Sequence, residues 1–167
     1  MADNRIPSPL QAELAQQVPF RDARHEAVVG LARTASVLER TVACRLRPWK
    51  LSFAQYNVLR ILQGAGPDGL PTLSIRTRLI DPAAAVTRLV DKLERAGFVE
   101  RARVGSDRRQ VRCRITAQGS ALLVELEPVV AAVHADVGAT LSDEQLRMLT
   151  GLLDEVRAAL MQGEKGR

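Results

Sequence analysis

The chain has 167 residues, 46% apolar and 26% charged, enough for one ordinary domain and unlike a disordered or collagen-like sequence. No apolar run nears the ~18 residues of a membrane span. The opening Met1-Ala2-Asp3-Asn4-Arg5 has no hydrophobic signal core, so the expected location is the cytoplasm, with no membrane partner.

The net charge is +5, and residues 76–114 alone hold eleven basic groups against five acidic ones. Ten of those eleven are Arg, the side chain suited to forked contacts with phosphate and guanine, so the excess reads as a nucleic-acid footprint. Only five aromatic residues are present, which leaves aliphatic side chains to build the core.

Residues 1–19 form an N-terminal arm with Pro7, Pro9 and Pro19 and a helix-like piece at Leu10–Gln17. From Phe20 to Leu46 the stripe Val28, Leu31, Ala35, Leu38, Val42, Leu46 predicts an amphipathic helix stopped by Pro48. Ser52 with Gln55 forms a capping box for a helix burying Phe53, Tyr56, Leu59 and Leu62 and ending at Gly64 and Gly66-Pro67. Thr72 is expected to cap a short helix carrying Ile75 and Leu79. Asp81-Pro82 then reads as the start of a helix that buries Val86, Leu89, Val90 and Leu93 and stops at Gly97.

Val111–Ile115 alternates as a strand, with Phe98–Arg103 as its hairpin partner. A helix over 117–137 follows, with a kink or break expected at Pro128. A last helix opens at a Ser142/Gln145 capping box with the stripe Leu146, Leu149, Leu153, Val156, Leu160. The fold class is therefore mainly α, about six helices with a small β-hairpin wing. A short helix, a tight turn and a second helix with a basic outer face make a helix-turn-helix over 72–96, and the hairpin over 98–116 is its wing. One domain spans 20–162, and 163–167 is a tail. The helices over 20–46 and 117–161 carry more apolar surface than one small protomer can cover, so they are read as the dimerisation helices of a homodimer.

These residues resemble the MarR (multiple antibiotic resistance regulator) family of winged helix-turn-helix transcription factors. Leu51-Ser52-Phe53-Ala54-Gln55-Tyr56-Asn57-Val58-Leu59 is similar to the family's second-helix opening, and Val86-Thr87-Arg88-Leu89-Val90-Asp91-Lys92-Leu93-Glu94 with Gly97 to its recognition helix. Phe98-Val99-Glu100-Arg101 and Ser106-Asp107-Arg108-Arg109 resemble its wing, and Ile115-Thr116-Ala117-Gln118-Gly119 the entry to its fifth helix. The resemblance covers about residues 24–160. It implies a ligand-responsive repressor that binds a pseudo-palindromic operator in double-stranded DNA as a homodimer. It also implies a small aromatic or anionic effector between the helical core and the winged domain.

The same resemblance assigns DNA contacts. Arg88 forks onto a guanine edge in the major groove and Thr87 touches a base or phosphate, while Lys92 lies further along the helix and reaches phosphate. Arg109 enters the minor groove and Asp107 orients its guanidinium. Arg101, Arg103, Arg108, Arg112 and Arg114 form the surrounding field. The sequence departs from the family at Ala84 and Ala85, where Ser or Thr is usual, leaving methyl contacts there. Arg76 replaces a usually small residue and is either a phosphate contact or a solvated side chain.

Two alternatives accompany this reading: a winged-helix protein-interaction module without DNA binding, and a thiol-based redox-sensing regulator. Cys44 and Cys113 form no disulfide framework, and Cys113 alternates with Val111 and Ile115 as a small buried hydrophobe. His25 and His134 are isolated, no set has metal-ligand spacing, and no nucleophile and base can be paired. Neither a cofactor nor an enzymatic activity is expected.

Overall fold

The computed structural model describes residues 7–103 and 111–165. Most helix starts follow side-chain oxygens that satisfy the free N–H groups of a first turn. The Ser8 hydroxyl accepts from Gln11 N–H to open α1 (Pro9–Glu13), and the Asp22 carboxylate accepts from His25 N–H at 2.8 Å to open α2 (Ala23–Leu46). Pro48 then diverts the chain into a tight turn over Arg47–Trp49. Ser52 and Gln55 form the expected reciprocal box at α3 (Phe53–Gly64).

After β1 (Leu70–Pro71) and α4 (Thr72–Arg76) comes α5 (Val86–Arg95), followed by β2 (Val99–Arg103) and β3 (Val111–Ile115). Thr116 caps α6 (Ala117–Gly138). Ser142 and Gln145 exchange bonds to open α7 (Asp143–Lys165), again as expected.

Five expectations need correction. The arm is helical only over Pro9–Glu13, because Ala15 turns left-handed at φ 48°; this adds a seventh helix among the described residues. Thr72 is the first residue of α4 and not its cap, a place taken by Pro71 without a side-chain bond. Asp81 caps no helix either: its carboxylate accepts from Ala83 N–H at 2.9 Å, closing a local turn that competes with helix, and α5 starts only at Val86. α6 runs through Pro128 without a break; Pro128 lies on the exposed side, where solvent can serve the carbonyl it leaves free. The sheet has three antiparallel strands in the order β1-β3-β2, with Leu70 opposite Cys113 and Arg101 opposite Cys113 on the other side. The two residues of β1 are too short to show any alternation.

The core is aliphatic. Leu46, Leu59, Leu62, Ile75, Val90, Leu93, Val99 and Leu126 are fully buried, and Phe53 and Tyr56 only half-buried at its edge. Burial of the Tyr56 ring raises the pKa of its hydroxyl; the Arg60 charge opposes this and the Glu127 charge reinforces it. The upper part of the α2 stripe stays exposed, Val28 at 68%, and no residue of α7 is buried among those described.

The wing is seated on α6 through backbone contact. Thr116 N–H donates to the Phe98 carbonyl at 3.0 Å, and the Thr116 hydroxyl donates to the Gly97 carbonyl at 2.7 Å. At Gly119 a Cβ would lie 2.3 Å from the same Phe98 oxygen and 2.8 Å from Ile115 Cγ1. Gly119→Ala therefore forces the helix and the wing root apart. Urea unfolding of this variant should show a stability loss of about 1–3 kcal/mol with the helical circular dichroism retained.

Candidate nucleic-acid interface

Three of the eight residues that begin at Val86 form the buried side of α5: Val86, Val90 and Leu93. Helical periodicity then leaves Thr87, Arg88 and Lys92 exposed on the opposite side. The start of α5 has no side-chain cap, and Val86 N–H turns back to the Ala84 carbonyl at 2.8 Å. The sequence-named residues Arg76, Ala84, Ala85, Thr87 and Arg88 come together here, lining one recess of about 360 Å³. Open backbone donors at a helix start beside two Arg side chains suit a polyanion.

Arg76 is exposed and also makes a contact within the fold that neither reading named. Its Nε donates to the Pro82 carbonyl at 3.2 Å, latching α4 to the turn that precedes α5, while the residue stays exposed on the recess. Arg88 makes no ion pair among the described residues. Of the nearby acids in sequence, Asp91 is paired with Arg101, and Asp81 accepts from Ala83 N–H without an ion pair among the described residues.

Arg101 is the main functional residue that sequence reasoning misplaced. From β2 it reaches back to α5 and donates to Asp91 at 2.6 Å and Glu94 at 2.5 Å. Burial pulls its pKa down, but the bonds and charges of the two carboxylates outweigh this and the net shift is upward. Strand alternation was the missed signal, since Arg101 shares a face with buried Val99. Arg112 is also structural, donating to the Asp68 carbonyl at 2.9 Å and the Gly69 carbonyl at 3.0 Å. Arg114 packs against Gly69, and its Nε is buried without a partner among the described residues.

Lys92 lines a separate hollow of about 440 Å³ together with Trp49, Lys50 and Gln55. Lys50, held at φ 55°, thereby extends the basic side of α5, a proximity that a separation of 42 positions hides in the sequence. The backbone of Arg103 pairs with Val111 at the described end of the wing. The Arg103 side chain and the whole of Asp107, Arg108 and Arg109 lie outside the described residues.

The family model for MarR matches residues 51–111, from the cap of α3 to the start of β3. A MarR transcription factor from Planctomyces limnophilus is 33% identical with a TM-score of 0.63, over 81% of this chain and 98% of its own. The chain belongs to the MarR family. Two further MarR-like folds are similar at lower identity. The S. aureus MepR–DNA complex is 21% identical with a TM-score of 0.70, over 77% of this chain and 95% of its own. The organohalide-sensing regulator RdhR in its 2,4-dichlorophenol-bound form is 18% identical with a TM-score of 0.73, over 86% and 87%.

This MarR-family chain has two apolar hollows, of which the first adjoins the basic side. One, of about 390 Å³, lies between α2, α3 and the turn before α5, and Ala84 lines both it and the recess at Arg88. The other is a groove of about 790 Å³ between α2, α6 and α7, lined by Leu31, Val133, Leu149 and Val156. Cys113 is buried, as its alternation predicts, and Cys44 is exposed near the end of α2.

The Arg101 clamp makes a prediction that separates positioning from charge. Arg101→Ala should lower stability by about 1–2 kcal/mol, the pair being partly solvent-screened, and should weaken DNA binding. The slope of log affinity against log salt should stay unchanged, because Arg101 is neutralised within the protein. Lys92→Ala should instead keep stability and reduce that slope. Fluorescence titration at four salt concentrations distinguishes the two.

Proposed function

We propose that this MarR-family protein is a repressor that binds a pseudo-palindromic operator as a homodimer and is released by a small compound. The observation that carries the reading is the recess at the start of α5, where Arg76, Ala84, Ala85, Thr87 and Arg88 converge on an exposed, uncapped helix end. Arg88 reads a guanine edge and Thr87 a neighbouring base or phosphate. Lys92, with Lys50 beside it, and Arg76 hold phosphates. The methyls of Ala84 and Ala85 face thymine. In the wing, Arg109 enters the minor groove with Asp107 orienting it, and Arg103 and Arg108 add phosphate contacts.

The exposed apolar surface of α2 and α7 supports the dimer. Leu31, Leu38, Leu149, Leu152 and Val156 are all exposed in the single chain and line one apolar groove, the kind of patch that marks an interaction site. Two-fold pairing through this groove would space two recognition helices for half-sites about one helical turn apart. Release by a ligand is supported by the 390 Å³ hollow, which is of a size and apolarity suited to a small aromatic molecule. Ala84 connects that hollow to the DNA-facing recess, so a compound seated in one would disturb the other.

Two groups of variants test this, one for DNA contact and one for assembly. Arg88→Ala should lose about 1–3 kcal/mol of operator affinity and relax preference at one position per half-site. Arg109→Ala should lose most on A·T-rich flanks, and Asp107→Ala should weaken binding in the same way. Tighter binding by Asp107→Ala in salt-dependent titrations would remove the orienting role. For assembly, Leu149→Asp together with Leu153→Asp should yield monomers by sedimentation. A folded dimer at micromolar concentration would mean that another surface pairs.

A further inference from the structure

We infer that the hollow between α2 and the turn before α5 selects an organic cation, an apolar ring-sized compound carrying a protonated amine or a quaternary ammonium group. The inference rests on the proposed reading of that hollow as the effector site and adds the charge of the effector. Most of the lining is apolar, including Leu38, Phe53, Ala54 and Ile80, which gives the site its affinity for a hydrophobic body. Its charged groups are only two, Glu39 from α2 and Asp81 from the turn, and both are carboxylates. Neither takes part in an ion pair among the described residues.

An acid-only rim is unexpected beside the segment that carries eleven of the 24 basic residues. An anion entering here would meet two negative charges and, among the described residues of the lining, no cationic partner, which argues against the anionic half of the sequence-based expectation. The remaining polar side chain is already partly engaged, as Asn57 Oδ1 accepts from Ile80 N–H at 3.0 Å. The two carboxylates also stand on different parts of the protein. Glu39 belongs to the long helix α2, whereas Asp81 begins the turn that Arg76 latches through Pro82 and that leads into Thr87 and Arg88. A cation held between them pulls that turn toward α2 and so couples ligand binding to the DNA-facing recess. By linkage, DNA weakens the cation as strongly as the cation weakens DNA.

Calorimetric titration of the full chain uses three probes with one ring system and different charge: naphthylmethylamine (protonated at neutral pH), naphthalenemethanol and naphthoate. The amine should bind about tenfold more tightly than the alcohol, and naphthoate more weakly than either. Each carboxylate is solvent-screened and should contribute about threefold, so Glu39→Gln and Asp81→Asn should each cut the amine's advantage by that factor and leave the alcohol unchanged. Asparagine at position 81 keeps an oxygen for Ala83 N–H. Ile80→Trp narrows the hollow from a position that is 68% exposed, where a larger side chain is accommodated without disturbing the core.

Ile80→Trp should block all three probes. Undiminished binding to this variant would place the probes elsewhere, and both the effector site and the cation selectivity would fall. Blocked binding with naphthoate equal to or tighter than the amine would leave the effector site standing and overturn the selectivity. Loss of the amine's advantage in neither carboxylate variant, or no binding of the amine at millimolar concentration, would overturn it as well.

Discussion

The direction of the exposed basic side of α5 depends on one guanidinium turned inward. Arg101 spans Asp91 and Glu94, which lie one turn apart on α5, and so fixes the hairpin against the recognition helix. Without that clamp, two carboxylates would lie unpaired beside the exposed basic side of α5. Arg101 offsets one of the two carboxylate charges and draws both side chains toward the hairpin, while Thr87, Arg88, Lys92 and Arg95 remain exposed on α5. Helix and wing then present one surface, and the glycine contact between Gly119 and Phe98 seats that surface on α6.

The basic segment is thus less uniform than its charge count suggests. Arg101, Arg112 and Arg114 are built into the sheet and its loop, whereas Arg76 and Arg88 stay on the surface. A guanidinium can do either task because its several donors satisfy carbonyls and carboxylates at once. The net excess of positive charge remains a property of the segment, but only some of its members supply it to solvent.

Helices were legible wherever the signals were local. The Ser52/Gln55 and Ser142/Gln145 boxes, the Pro48 stop and the α5 stripe all act within one or two turns, and the folded chain uses each of them. Asp81-Pro82 misled because the same carboxylate that can cap a helix can also close a turn by bonding two residues on, and three alanines do nothing to decide between them. β1 was invisible because two residues carry no period, and its pairing with Cys113 is a contact across 43 positions. Convergence of Arg76 with Ala84, Thr87 and Arg88 followed from the helix-turn-helix reading. The roles of Arg101 and Lys50 depend on packing between separate elements and had no local signature beyond strand alternation.

Ala84 is a wall shared by two hollows, one facing the groove between α2 and α3 and one facing outward beside Arg88. Its methyl borders both the chamber that would admit a small molecule and the surface that would meet a base. Any enlargement of that side chain takes space from both compartments together. Under the proposed function, drift in the compound sensed and drift in the operator recognised are coupled at this position. A lineage that changed one would have to accept, or repair, a change in the other.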